Sequence, residues 1–212
     1  MDHSFPHCIP AFPFSDCTPV RRRPILLFMP RLTPPRTVDD YFALDHDGEV
    51  ELLDGEFVVG PAPGLRHQMA VVSLTSILHR QVRALRLGRV LTGPFDVVLS
   101  RTSVPHPDIL FVGNAGLPRL GDTLEGPPDL AVEFLSPGNL KNDLKRKMKI
   151  YLEFGVPQYW IGDPKARTIR ILENGGDRWI EKGTFGAGDV IRPAGMPGVV
   201  VDVSEVYEFE CA

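Results

Sequence analysis

Apolar and polar positions divide the chain into recognisable elements. From Leu130 to Leu135 every residue is apolar except Glu133, which predicts a buried strand carrying one carboxylate. Pro137 and Gly138 break the strand, and Asn139 is placed to cap a helix. In that helix Leu140, Leu144, Met148, Tyr151 and Leu152 recur as one apolar stripe, and Gly155 followed by Pro157 stops it. Gln158 to Gly162 begins a second apolar strand. A strand, a crossover helix and a strand in this order pair their strands in parallel.

The same pattern extends in both directions. Thr37-Val-Asp-Asp predicts a short capped helix, and Glu49 to Val59 a hairpin turning at Asp54-Gly55. His67 to Leu87 reads as one long helix, with Val71, Leu74, Leu78, Val82 and Leu85 facing inward and Gly88 as its stop. Residues 89–91, 95–100 and 107–112 are strand-like. Thr168 to Leu172 alternates as an exposed or edge strand does, with Arg178 to Lys182 as its hairpin partner across a turn at Asn174-Gly-Gly-Asp177. Val190-Ile191, Val199 to Val201 and Val206-Tyr207 suggest further short strands. The expectation is an α/β fold with many strands, two main helices and a mixed sheet at its centre. Residues 1–35 hold many prolines and Arg21-Arg-Arg23 without periodicity, so they read as a flexible or loosely docked arm, leaving 36–212 as a single domain.

Composition adds bounds. With 43% hydrophobic residues and a net charge of -4, the 212-residue chain has the balance of a soluble globular protein and no overall charge pointing to a nucleic-acid binder. No apolar run approaches the ~20 residues that span a membrane, and the apolar stretch at 24–30 is too short for a secretory leader. A cytoplasmic location is therefore expected. Cys8, Cys17 and Cys211 give no disulfide framework, and His3, His7, Cys8 and Cys17 have no paired zinc-ligand spacing.

Candidate chemistry comes from charged residues placed where packing alone would not put them. Glu51, Asp96, Asp108 and Glu133 interrupt apolar strands, and Lys147 lies on the edge of a helix's apolar stripe. If the strands of Asp108 and Glu133 are neighbours, their carboxylates converge. At ~4 Å and an effective dielectric of ~20 they repel by roughly 4 kcal/mol, so the pair holds a cation or shares a proton. Oxygen ligands without sulfur favour Mg²⁺ or Mn²⁺. With Lys147 to orient water or stabilise phosphate charge, the set suits metal-assisted phosphodiester hydrolysis. The plainer alternative is a buried structural ion pair between Glu133 and Lys147. His67 and Asp96 have either supporting or plain roles, a helix-cap or packing histidine and an arginine-paired acid; Tyr159 and Trp160 are core residues.

Pro107-Asp108, Glu133 and a helical lysine resemble the PD-(D/E)xK nuclease superfamily. More narrowly, Glu51-Leu-Leu-Asp-Gly55, Pro63 with His67-Gln68, Pro107-Asp108, Glu133-Phe-Leu-Ser-Pro137, Asp143 to Lys147 to Tyr151, and Gly155-Val-Pro-Gln-Tyr-Trp160 with Asp163-Pro164 resemble the Uma family of restriction endonucleases. The resemblance covers Thr37 to Leu172. It implies a restriction-endonuclease-like fold: a central mixed sheet flanked by helices, an N-terminal hairpin and extra C-terminal strands. It also implies a divalent-metal site with Asp108 and Glu133 as ligands, Glu51 joining or supporting them, and Lys147 replacing the superfamily lysine whose strand position is Leu135 here. Three expectations follow: a Mg²⁺-dependent DNA endonuclease, a non-catalytic relative binding nucleic acid or protein, or a structural module. The net acidity and lack of an obvious basic groove favour the second reading; the complete set of three acids and a lysine favours the first. A homodimer is plausible for an enzyme cutting both strands.

Overall fold

The computed structural model describes residues 34–44, 50–60, 62–136 and 141–208, the first two of helix 141–153 by backbone alone. Most of the N-terminal arm, Asn139, Leu140 and the three cysteines lie outside the described residues.

Helix α1 (Val38–Phe42) opens on the Thr37 cap, whose hydroxyl and Asp40 bond back to each other's backbone in a capping box. Strands β1 (Val50–Leu53) and β2 (Glu56–Val59) form the expected hairpin. Asp54 and Gly55 both take the positive φ that a two-residue turn needs. Helix α2 (Leu65–Leu85) follows. It buries Ala70, Val71, Leu74, Ile77, Leu78 and Val82, but leaves Leu85 exposed. It ends earlier than Gly88, because Arg86 itself adopts the left-handed cap conformation.

Gly88 instead begins β3 (Gly88–Thr92). Its φ is +154° and a Cβ there would sit 2.1 Å from the Val112 carbonyl oxygen, so glycine is required by close backbone approach. The remaining strands are β4 (Val97–Val98), β5 (Ile109–Gly113), β6 (Leu124–Glu125) and β7 (Leu130–Phe134), with a 3₁₀ segment at Asn114–Arg119 between β5 and β6. Helix α3 (Lys141–Glu153) then crosses to β8 (Gln158–Asp163), followed by β9 (Thr168–Asn174), β10 (Trp179–Phe185), β11 (Val190–Ile191), β12 (Val201–Asp202) and α4 (Val203–Tyr207).

Six strands form the central sheet in the order β10-β9-β8-β7-β5-β3. β7 and β8 are parallel, as the crossover predicts, and the other pairings are antiparallel. This is the mixed α/β architecture expected from the sequence, with two local corrections. Strand β9 is interior rather than at an edge, because β10 pairs along its outer side and buries Ile169, Ile171 and Leu172. Val206-Tyr207 is helical, not a strand: Asp202 caps α4 by accepting the Ser204 amide, and both residues turn into the core.

Alternation along β7 separates two cores. Leu130, Val132 and Phe134 face the core shared with α2 and the C-terminal segment. Ala131 joins Tyr151, Val156, Tyr159, Ile161 and Leu172 on the other side, where Leu144 and Met148 of α3 also pack. Glu133 has the parity of Ala131, so its side chain goes to the α3 side. Trp160 and Tyr159 are fully buried, in keeping with core roles.

Candidate active site

Register brings the first two acids together. β5 and β7 pair as Ile109↔Val132, Leu110↔Ala131 and Phe111↔Leu130. One further step sets Asp108 opposite Glu133. Asp108 sits just beyond the ladder, where its Oδ2 accepts the Phe134 amide at 2.6 Å and the His67 Nε2 contact at 3.0 Å. His67 is therefore not a cap. It is the third residue of α2, buried edge-on against Phe134 with ring centroids 6.0 Å apart, and its Nδ1 meets no partner among the described residues.

Lys147 reaches the same place from α3. Its Nζ lies 2.8 Å from Glu51 Oε1, 3.0 Å from Glu133 Oε1 and 3.3 Å from the His106 carbonyl oxygen. Glu51 comes from β1, and the same Oε1 also accepts the His106 amide. Tyr151, one turn beyond Lys147 on α3, donates its hydroxyl to Glu133 Oε1 at 3.0 Å. Lys147 and Glu133 are 5% and 3% exposed, so both charges are held away from bulk water and depend on these partners.

Burial pushes the Glu133 carboxyl up to about 8. Lys147 opposes this shift, while the charges of Asp108 and Glu51 reinforce it. Burial alone lowers the Lys147 ammonium's pKa, but Glu133 and Glu51 outweigh it and raise the value, so the lysine stays charged. Burial also raises the Tyr151 phenol and the Asp143 carboxyl above their usual ranges. A cavity of about 290 Å³ opens onto this group, with Glu51, Asp108, Glu133 and Asp143 set against the single ammonium of Lys147, and His67 and His106 beside them. Negative charge exceeds positive charge in this cavity.

A second cluster, absent from the sequence-based expectations except for Asp96, adjoins the first. His106 Nε2 lies 2.7 Å from Asp96 Oδ1, and the Tyr41 hydroxyl donates to the same oxygen at 2.8 Å. Tyr41 is also 2.9 Å from His106 Nε2. Among the described residues, Asp96 pairs with a histidine and a tyrosine. The cluster fixes the ring of His106, whose backbone amide and carbonyl hold Glu51 and Lys147. Its only sequence signal is the position of His106 two residues before Asp108; Tyr41 and Tyr151 read as ordinary packing residues.

Among the described residues, no three histidine, cysteine, aspartate or glutamate side chains form a ready metal shell. The donor set still suits a hard cation. Asp108 and Glu133 are oxygen donors, and each concentrates its protein hydrogen bonds on one oxygen. Mg²⁺ is commonly held by one or two carboxylates, with water and phosphate oxygens completing the shell.

Among solved structures, the chain is similar to "a putative nuclease belonging to DUF820 from Anabaena variabilis ATCC 29413", determined at 1.96 Å. The TM-score is 0.70 and the identity 17%, over 82% of this chain and 98% of that one, which establishes a shared fold. No curated protein matches the chain. The family model named Uma2 and described as "Putative restriction endonuclease" matches residues 38–204, from α1 through the active-site elements into α4. The chain therefore belongs to the Uma2 family.

Proposed function

We propose that the protein is a divalent-metal-dependent endonuclease that hydrolyses DNA phosphodiester bonds. The observation that carries this reading is the delivery of Lys147 from α3 into the cavity of Asp108 and Glu133, while the strand position two residues after Glu133 is the apolar Leu135. Membership of a family described as restriction endonucleases supports it.

Asp108 and Glu133 would hold Mg²⁺ or Mn²⁺, with Glu51 joining them or acting beside them. Such a cation would supply charge stabilisation for the phosphate oxygens. Lys147 keeps a fixed positive charge beside the carboxylates and is suited to a phosphate oxygen or a positioned water. His67 and the Phe134 amide fix one oxygen of Asp108 and leave the other for the cation. Tyr151 orients Glu133, and His106 presents its main chain to Glu51 and Lys147.

The bridge from Lys147 to two carboxylates also suits a second reading, in which the site is a structural ion pair and the family fold is non-catalytic. Calorimetric titration of Mn²⁺ into the wild type and Asp108→Asn separates the two. The endonuclease reading expects binding that Asp108→Asn abolishes, and cleavage of supercoiled plasmid that Lys147→Met abolishes. Absence of both metal binding and cleavage in well-folded wild type refutes it.

A further inference from the structure

The acidic balance of the whole chain conceals a strong local segregation. Between Glu56 and Asp96 there is no aspartate or glutamate, while Arg66, Arg80, Arg83, Arg86 and Arg89 all fall there. This interval contains α2, which has no acidic residue along its length and whose N-terminal residues His67, Gln68 and Val71 line the active-site cavity.

The basic residues concentrate at the other end. His79, Arg80 and Arg83 of α2, its cap residue Arg86 and Arg89 of β3 are all exposed, and among the described residues none is paired with a carboxylate. His79, Arg83 and Arg89 line a second cavity of about 340 Å³ with Val82, Gly88 and Val90. Favourable charge at the C-terminus of α2 accounts for one or two cations in its last turn, but not for His79 or for Arg89 on the neighbouring strand.

Helix geometry connects the two cavities. Gln68 at the lip of the active site and His79 are separated by three full turns, so they lie on one face of α2. From His67 to Arg83 the helix rises about 24 Å, close to seven phosphate steps of a DNA strand. Four unpaired arginines cost little when exposed, but they repel one another and gain energy by meeting phosphates, with release of counterions.

We infer that the His79, Arg83, Arg86 and Arg89 end of α2 and β3 is a DNA-backbone docking site, which anchors the duplex while the cavity at the N-terminal end of α2 receives the phosphate to be cut. This rests on the endonuclease reading for the second half of the statement. It gives the chain a basic surface where the sequence offered no obvious basic groove. The arginines read phosphate rather than sequence.

The test is fluorescence anisotropy of a labelled 20-base-pair duplex in EDTA across a salt series, with plasmid cleavage in Mn²⁺ measured in parallel. The proteins are wild type, Arg83→Gln/Arg89→Gln, and the charge-matched control Arg178→Gln/Lys182→Gln on the opposite sheet edge. Arg83 and Arg89 are exposed, so the double variant is expected to keep its folding midpoint, checked by thermal melting. The site predicts about tenfold or greater loss of affinity at low salt and a log–log salt slope shallower by about 2, two contacts at ~0.9 each. The control should bind as wild type. Wild-type binding with unchanged affinity and slope in Arg83→Gln/Arg89→Gln overturns the docking site and leaves the endonuclease reading standing if cleavage persists. Loss of binding in that variant, with no cleavage by any protein, supports docking and refutes the endonuclease reading. Absence of wild-type binding overturns the docking site.

Discussion

Replacing Lys147 with methionine tests the energetics on which the site depends. The substitution keeps the length of the stem and removes the ammonium from between Glu51 and Glu133, at 2.8 and 3.0 Å. At an effective dielectric of ~20, each attraction to an ionised carboxylate is worth roughly 6 kcal/mol before the cost of burying the charges. Much of that is offset by desolvation, so the expected loss is about 3–5 kcal/mol, the usual result of removing one member of a buried pair. Glu133 provides partial relief by taking a proton, since its carboxyl is already pushed up to about 8 by burial. Adding Glu133→Gln to Lys147→Met should therefore cost less than the two single losses together, by about 1–3 kcal/mol. Urea unfolding in EDTA at pH 7 measures all four corners of the cycle. The gap between wild type and Lys147→Met should also widen above pH 8, by up to about 1.4 kcal/mol per pH unit, because wild type then ionises Glu133 beside its ammonium while the variant must keep the proton that the unfolded chain has lost. A loss below about 1 kcal/mol, or additivity within about 0.3 kcal/mol, would refute this account of the pair.

Other consequences follow from single contacts. Because the folded Glu133 carboxyl is raised from 4.5 to about 8, it holds its proton more tightly than in the unfolded chain. Metal-free wild type should lose roughly 4 kcal/mol of stability between pH 5 and pH 8, and Glu133→Gln should lose that slope; a parallel pH profile for the two proteins contradicts the assignment. Tyr151→Phe removes a buried donor to Glu133 Oε1 and should destabilise by about 1.5–3 kcal/mol in chemical denaturation at pH 8.5. Gly162→Ala places a Cβ 2.2 Å from the Phe134 ring and should cost more than about 2 kcal/mol in thermal or urea melts. Gly155→Ala, with nothing within 4 Å but a φ of +76°, should cost about 1 kcal/mol.

What could be read from the sequence was what depends on local periodicity. The Thr37 cap, the Asp54-Gly55 turn, the parallel β7–α3–β8 unit and the burial of Glu133 and Lys147 each follow from residues close together in the chain. Long-range pairing decided the rest. Thr168 to Leu172 has an edge-like alternation, and only the full length of β10 places it inside the sheet. Val206-Tyr207 was legible as apolar but not as helical, since two residues carry no period and the Asp202 cap lies upstream. His106 is one step further removed: it acts through its main chain, while its ring is held by Asp96 and Tyr41 from separate segments.

The source of the lysine determines the job of Glu51. A lysine on β7 would inherit its position from the sheet, but Leu135 is part of the apolar packing beside α3 and its amide bonds to Gly162. Lys147 arrives on a long, flexible stem, and its ammonium is placed by carboxylates on both sides. Each of the two acids shares its Oε1 between Lys147 and a second donor, but Glu133 lies opposite Asp108 across the β5–β7 pair, so Glu51 is the less suited to the cation. On the endonuclease reading, Glu51→Gln should leave Mn²⁺ affinity within about threefold of wild type, because Asp108 and Glu133 remain. Cleavage should fall by about 10²-fold or more, because Lys147 loses one of its two anchors and small displacements near the reacting phosphate are costly. Calorimetry and plasmid cleavage on the same preparation separate the possibilities. A loss of Mn²⁺ affinity as large as that of Asp108→Asn would make Glu51 a ligand, and near-wild-type cleavage would mean that Glu133 positions the lysine alone.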